Sequence, residues 1–143
     1  MSSKVYSANE ITCIVGGIPL DSGRGDDEFI AIAKVEDTYT AKAGVDGEVT
    51  FSESKNNLHT VTITLMQTSS GNALLSALHT GDIKTAGGAG IVPIAIRDEQ
   101  GRDLFIAAES RITKFPDQSY SKEAGTVQWA LLVPNPERFV GGH

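Results

Sequence analysis

The stretch that decides the fold is "TVTITLMQTSS", residues 60–70, in which apolar and hydroxyl-bearing side chains alternate. Successive side chains of a β-strand point to opposite faces, so this run predicts a strand with one apolar face turned toward a core. The opposite face carries no charge. Its β-branched residues suit the pleated surface of a strand that is in contact with water but has other protein surfaces close to it. The apolar set is Val61, Ile63 and Leu65, and the hydroxyl set is Thr60, Thr62 and Thr64.

Short strand patterns of the same kind, separated by glycine and polar turns, make up most of the remaining chain. They predict a mainly β fold: a small β-sandwich or partial barrel with one flanking α-helix, formed by residues 1–143 as a single domain. The predicted strands cover residues 10–20, 28–36, 48–54, 58–66, 91–96, 104–115 and 126–133.

One helix is predicted over "SSGNALLSALHTGD", residues 69–82. Ser69 or Ser70 suits the N-cap position, and Gly81 suits the left-handed conformation that often ends a helix. The predicted buried stripe consists of Leu74, Leu75 and Leu78.

Length and composition fit a globular protein. No run approaches the roughly 18 apolar residues of a membrane span, and "MSSKVYSANE" lacks a signal peptide's apolar stretch. We therefore expect a soluble protein made in the cytoplasm, without membrane contact. The single cysteine, Cys13, lies in the apolar run "ITCIV" and is predicted to be a small buried side chain.

The formal net charge of −6 is concentrated in one part of the chain. Residues 21–54 hold nine acidic and three basic residues, which accounts for the whole excess. Proteins that bind nucleic acid use lysine and arginine to replace the counterions of the phosphates. The excess of acidic over basic residues therefore argues against DNA binding. It is compatible with a surface that repels DNA.

Residue patterns that carry chemistry are missing from the sequence. His59, His79 and His143 have no metal-ligand spacing, and no Ser/His/Asp set is evident. The acidic "DSGRGDDE", residues 21–28, does not match a calcium loop, and "AGGAG", residues 86–90, is not followed by a helix that would hold a phosphate. No catalytic site, cofactor or metal is predicted.

Four stretches resemble a known family: "VYSANEITCIVGGIPLDSG", "EDTYTAKAGVDGEVTFSES", "TVTITLMQTSSGNALLSAL" and the terminal "FVGGH". They are distributed along nearly the whole chain, and "GVDGEV" and "TITLMQTS" are the most specific. The chain resembles the tail tube proteins of contractile-tailed bacteriophages, which are related to the tubes of pyocins and type VI secretion systems.

The resemblance implies a non-enzymatic virion protein of the tail tube. It implies six-fold rings of identical subunits that stack into a tube, and a channel through which viral DNA passes without specific binding. The expected partners are further copies of the chain, the tail sheath, and the baseplate and terminator proteins.

Within such a ring, one face of the inner sheet packs on the core and the other lines the channel. The acidic Asp26, Asp27 and Glu28 are expected outside the tube or at a ring edge. An ordinary solvent-facing strand remains the alternative for the hydroxyl set. The residues predicted to face the channel are Glu48, Thr50, Ser52, Thr60, Thr62 and Thr64.

Residues 37–57 are predicted to form an extended loop or hairpin that reaches a neighbouring subunit. Gly44 and Gly47 would give it conformational freedom, and Tyr39 and Val45 would be buried against the partner. An ordinary β-hairpin is the alternative, because Asp46 followed by glycine is a strong turn signal. Two other functions remain open: an exported tube protein of the type VI kind, and a small β-barrel that binds a ligand in its interior.

Overall fold

An antiparallel sheet of eight strands is the largest element of the structure, a computed structural model. The described residues are 11–20, 29–85, 90–99 and 101–141. The elements are β1 (Ile11–Val15), β2 (Ile18–Pro19), β3 (Ile30–Lys34), β4 (Tyr39–Ala43), β5 (Val49–Glu53), β6 (Leu58–Met66), α1 (Gly71–Lys84), β7 (Val92–Asp98), β8 (Leu104–Ile112), β9 (Thr126–Pro134) and β10 (Glu137–Phe139).

Strand β8 joins two halves of this sheet, whose order is β2-β1-β7-β8-β9-β6-β3. Its first part pairs with β7 and β10, whereas Arg111 and Ile112 pair with β9. We call β1, β2, β7, β10 and the first part of β8 the β7 half. The β6 half comprises β3, β6, β9 and the end of β8. The predicted sandwich or partial barrel is confirmed, and the barrel is not closed.

The core lies between the two halves. Val61, Ile63 and Leu65 are at most 2% exposed, which confirms the predicted apolar face of β6. They belong to one buried cluster with side chains of the β7 half such as Cys13 and Phe105. The predictions of a buried Cys13 and a mainly β fold are therefore confirmed.

The helix α1 is confirmed, but its end and its buried face differ from the prediction. Gly81 lies inside the helix, which continues to Lys84, so it does not provide a left-handed end. Leu74 is exposed, whereas Leu75 and His79 are buried at a spacing of four residues. The predicted stripe was wrong at Leu74. The buried side of the helix is one row of residues spaced four apart, Gly71, Leu75 and His79, and Leu74 lies outside this row.

A hydrogen bond and a ring contact hold α1 against the sandwich. The indole Nε1 of Trp129 donates a hydrogen bond to the Oδ1 of Asn72, at 3.0 Å. The ring of His79 packs edge-on against Phe115, with ring centroids 4.7 Å apart. His79 is thus a packing residue and not a surface donor to the last carbonyl groups of the helix.

His59 lies on the core side of β6, at the end away from α1, and is 4% exposed. Its ring packs edge-on against Phe105, with centroids 5.8 Å apart, and its Nδ1 is 3.4 Å from the Asn57 carbonyl oxygen. Burial lowers the pKa of His59 below the usual 6.5; the Asn57 contact opposes this, and the charges of Arg138 and Lys34 add to it. The folded chain therefore favours the neutral ring.

We predict that Gly81→Ala stabilises the protein by about 0.5–1 kcal/mol, because alanine loses less conformational entropy in a helix interior. A Cβ at this position would meet no atom within 4 Å. Urea unfolding of both proteins measures the effect. A loss of stability would instead support the left-handed helix end that the sequence suggested.

The lowered pKa of His59 predicts a pH-dependent stability. The unfolded chain binds a proton near pH 6.5 and the folded chain only at lower pH, so stability is full above 6.5 and falls as the pH drops below it. His59→Gln should flatten this slope between pH about 5 and 7. Urea unfolding across that range compares the two proteins, and equal slopes would contradict the assignment.

Candidate assembly surfaces

The hydroxyl side chains of β6 share a sheet face with side chains of β3 and β9. Residues paired directly across an antiparallel ladder point to the same side, so the register identifies the members of this face. None of them is charged, and small side chains predominate. The central part of this threonine face consists of Ala31, Ala33, Thr60, Thr62, Thr64, Gln128, Ala130 and Leu132, and the same register continues the face with Leu58 and Pro134 at one end and Met66 and Thr126 at the other.

Burial is uneven along the threonine face. Thr60 and Thr62 are half-buried, whereas Thr64 is only 9% exposed in the isolated subunit. At the border of the face, Arg111 pairs in register with Leu132, and its Nε lies 3.4 Å from the Oδ2 of Asp82. The accessible part of the face is therefore hydrated and centred on Thr60 and Thr62, with one ion-paired arginine at its border.

Strands β4 and β5 form a separate two-stranded sheet, the hairpin of residues 39–53. It continues the β3–β6 ladder, because the N–H of Val35 donates to the Leu58 carbonyl (2.9 Å) and that of Ser54 to the Thr38 carbonyl (2.8 Å). All ten strand residues of the hairpin are exposed. Residues 37–57 thus have the hairpin form, and their contact with a neighbour stays a prediction.

The tip of the hairpin is held by its own backbone. The N–H of Gly47 donates to the Gly44 carbonyl at 3.0 Å, and the N–H of Gly44 donates to the Glu48 carbonyl at 2.7 Å. Gly47 has a φ of +86°, a conformation that favours glycine. The Oδ1 of Asp46 accepts the Glu48 N–H at 3.2 Å, and the side chain of Val45 is fully exposed.

The hairpin has two chemically different faces, which its register defines. One face is mainly apolar and includes large side chains that water covers in the isolated subunit. The other face carries hydroxyl groups and one cation. The apolar face consists of Tyr39, Ala41, Ala43, Val49, Phe51 and Glu53, and the hydroxyl face consists of Thr40, Lys42, Thr50 and Ser52.

Within one subunit, the residues predicted to face the channel do not share one sheet. Thr50 and Ser52 lie on the hydroxyl face of the hairpin, beside Lys42. Glu48 precedes β5 at the turn, and the threonine face belongs to the eight-stranded sheet. The two surfaces therefore belong to different sheets, which the backbone contacts beyond β3 and β6 connect.

A cleft of about 410 Å³ opens between β3 and the β7 half, where the barrel is not closed. Sequence reasoning missed it. The signal that could have revealed it is the apolar pair Phe139 and Val140, which are 55% and 74% exposed near the C-terminal end. Its apolar lining includes Ile11, Phe29, Ile30, Ile32, Phe139 and Val140.

Charged groups line the cleft as well. Arg97 and Arg138 contribute the cations, and Asp98 and Asp103 the acids. Asp98 is buried, and the Oδ1 of Asp103 accepts the N–H of Gly141 at 2.9 Å. That bond holds Gly141, the residue that follows Phe139 and Val140, at the cleft.

In the part of the chain that the structure describes, no group of His, Cys, Asp and Glu side chains could hold a metal ion. None of the helices described there is long and apolar enough to cross a membrane. The predicted positions of Asp26, Asp27 and Glu28 lie outside the described residues.

Two solved structures share this fold. The tube-terminating cap of the anti-feeding prophage aligns with a TM-score of 0.59 and 9% identity, over 99% of this chain and 95% of that chain. The sheath/tube terminator of the extracellular contractile injection system PVC, in its extended state, aligns with a TM-score of 0.56 and 10% identity, over 98% of this chain and all of that one. At such identities the likeness concerns the fold.

Sequence comparison leads to a phage family. Structural protein ORF10 of Pseudomonas phage KPP10 is 27% identical over 146 residues, which cover 99% of this chain and 84% of that protein. Residues 3–141 match the family described as bacteriophage PhiTE tail tube protein. The chain therefore belongs to the phage tail tube family.

Proposed function

We propose that the protein is a non-enzymatic subunit of a phage tail tube, stacked as hexameric rings around a channel that delivers DNA. The observation that carries this proposal is the hairpin of residues 39–53, whose apolar face the isolated subunit leaves in water. Large exposed apolar surfaces in soluble proteins mark interaction sites. In a family of tail tube proteins, the natural partner is another copy of the chain.

The edge of the β6 half suits ring formation. Strand β3 ends the sheet order and, among the described strands, pairs only with β6. Its free N–H and C=O groups would be satisfied by a strand of the neighbouring subunit, which also removes an aggregation-prone edge. At the opposite edge, Pro19 in β2 has no N–H to donate, so β2 suits such pairing less well.

The threonine face suits the channel wall. Hydroxyl groups keep the wall hydrated, and the cation at its border, Arg111, is already paired with Asp82, so the wall offers few cations to hold DNA phosphates. If the apolar face of the hairpin packs on a neighbour, its hydroxyl face points away from that contact and could extend the wall. Lys42 is the one cation on that face.

The same proposal gives the location and the further partners. The protein would be part of the virion, enclosed by the tail sheath and contacted by baseplate and terminator proteins at the tube ends. The fold shared with a tube-terminating cap and a sheath/tube terminator supports stacking contacts between related subunits.

One observation favours a second function, a ligand-binding module. The volume of the cleft, about 410 Å³, falls within the range of small-molecule pockets. A ligand-binding module would stay monomeric at high concentration, whereas a tube subunit would form rings or tubes. The type VI kind of tube shares the assembly and differs in being exported.

We predict that replacing residues 39–53 with a short Gly-Ser linker leaves a folded monomer and abolishes rings and tubes. The segment contributes no residue to the buried core, so cooperative unfolding should persist. Light scattering and negative-stain microscopy measure assembly, and circular dichroism measures folding. Thr50→Ser on the hydroxyl face serves as the control. Tubes formed by the shortened protein would contradict the role of the hairpin.

We predict that Thr62→Lys leaves assembly intact and makes the tubes retain DNA, more strongly at low salt, because each lysine offers a phosphate contact. Thr62→Gln is the uncharged control. Thr50→Lys and Glu48→Lys test the hairpin side in the same way. DNA retention by purified tubes and infectivity of phage carrying each change are measured together. Normal delivery without retention, in tubes seen by microscopy, would mean that the changed residue does not face the channel.

A further inference from the structure

We propose that the open cleft of one copy receives the apolar face of the hairpin of another copy, with Tyr39 and Phe51 as the inserted side chains. This inference rests on the proposed function and adds the surface that the hairpin contacts. Both surfaces of the proposed contact, the apolar face of the hairpin and the cleft, are present on every copy of the chain.

The donor surface presents two neighbouring rings. Tyr39 pairs with Glu53, and Ala41 pairs with Phe51, so the two rings are diagonal neighbours on the same face. The small side chains of Ala41 and Ala43 leave the rings standing above the strand surface. Tyr39 is 57% exposed and Phe51 is 69% exposed, so docking would remove a large aromatic area from water.

The acceptor surface has two apolar walls. Phe29, Ile30 and Ile32 line one wall, on the side of β3. Phe139 and Val140 lie on the other, where they remain largely exposed in the isolated subunit. A groove of this kind has the apolar, concave character in which aromatic anchors of protein interfaces are buried.

Charge complementarity supports this pairing, because the two acids of the cleft are already engaged: Asp98 is buried and Asp103 accepts the Gly141 N–H, which leaves the two arginines for a docking carboxylate. Glu53 lies on the apolar face beside Tyr39, and its only ion pair among described residues is a surface contact with Lys55 at 3.3 Å. Exposed pairs of this type contribute little, so Glu53 can exchange its partner. Neither Arg97 nor Arg138 forms an ion pair within the described part of the chain. Either guanidinium could receive Glu53 at the mouth of the cleft.

The geometry favours a second copy as the source of the hairpin. The hairpin of the same copy extends beyond the β3–β6 ladder with all its strand residues exposed, so it does not fill its own cleft. Donor and acceptor are different surfaces of one molecule. Such a heterologous contact can be repeated from copy to copy, as a stacked tube requires.

The experiment separates donor from acceptor by mixing. Phe51→Ser disables the donor and Phe139→Asp the acceptor, and each variant alone should need at least about tenfold more protein to assemble. A mixture retains one intact hairpin and one intact cleft for each pair. It should form short mixed complexes without long tubes. Tyr120→Ser removes a still more exposed aromatic ring elsewhere (Tyr120 is 84% exposed) and should assemble normally.

A charge exchange tests the polar contact. Glu53→Arg and Arg138→Glu should each weaken assembly, and the double variant should restore it. A second set combines Glu53→Arg with Arg97→Glu, and comparison of the two double variants identifies which arginine contacts Glu53. Assembly is followed by light scattering and microscopy, and folding of each variant by urea unfolding. Recovery in either double variant supports docking in the cleft.

Three outcomes would overturn the inference. Normal tubes from Phe139→Asp, with assembly still lost on removing residues 39–53, would mean that the hairpin docks elsewhere while the tube function stands. A cleft variant that loses monomer stability but assembles normally would mean that the chain's own residues fill the cleft. Binding of a small apolar dye in the cleft, unaffected by assembly, would identify a ligand pocket. If the unaltered protein never forms rings or tubes, the proposed function itself fails.

Discussion

The alternation of side chains along β6 is the constraint on which the rest of the structure depends. This strand lies between β3 and β9, so both of its edges are paired and its two faces are fixed at once. Burial of Val61, Ile63 and Leu65 commits one face to the core. A shift of one residue in the register would exchange every apolar side chain for a hydroxyl, so the pairing is strongly specified. The uncharged threonine face is the necessary other side of the same strand.

The ladder that fixes β6 also creates the hairpin. Strand β3 and the start of β6 are paired, and the intervening residues continue as an antiparallel pair beyond the sandwich. Beyond the sandwich, no second layer formed by described residues covers the apolar face that contains Tyr39 and Phe51. Residues that add nothing to the subunit core are available for contact with another copy. The open cleft arises from the same architecture, since the two halves are joined at β8 and remain apart at β3.

These features fit a protein whose function is assembly. The fold is shared at very low sequence identity with terminators of contractile injection systems, so the architecture tolerates almost complete replacement of its side chains. What the alignments share is the backbone arrangement over nearly the whole chain. The proposed channel wall requires water and few cations, and the proposed contact between copies requires apolar area. The hairpin carries both kinds of surface on opposite faces of one pair of strands.

The sequence by itself determined the mainly β class, the two faces of β6 and the burial of Cys13. It also determined the existence of α1 and the turn at Asp46 and Gly47. Each of these features follows from a local period of apolar residues or from a local requirement of the backbone. Tertiary structure alone decided which leucines of α1 are buried, that Gly81 continues the helix, and that Thr64 is covered. It also decided that Thr50 and Ser52 lie in a different sheet from Thr60, and that a cleft opens beside Phe139. These features depend on which distant segments meet. Contacts between residues far apart in the chain leave no periodic signal in the sequence.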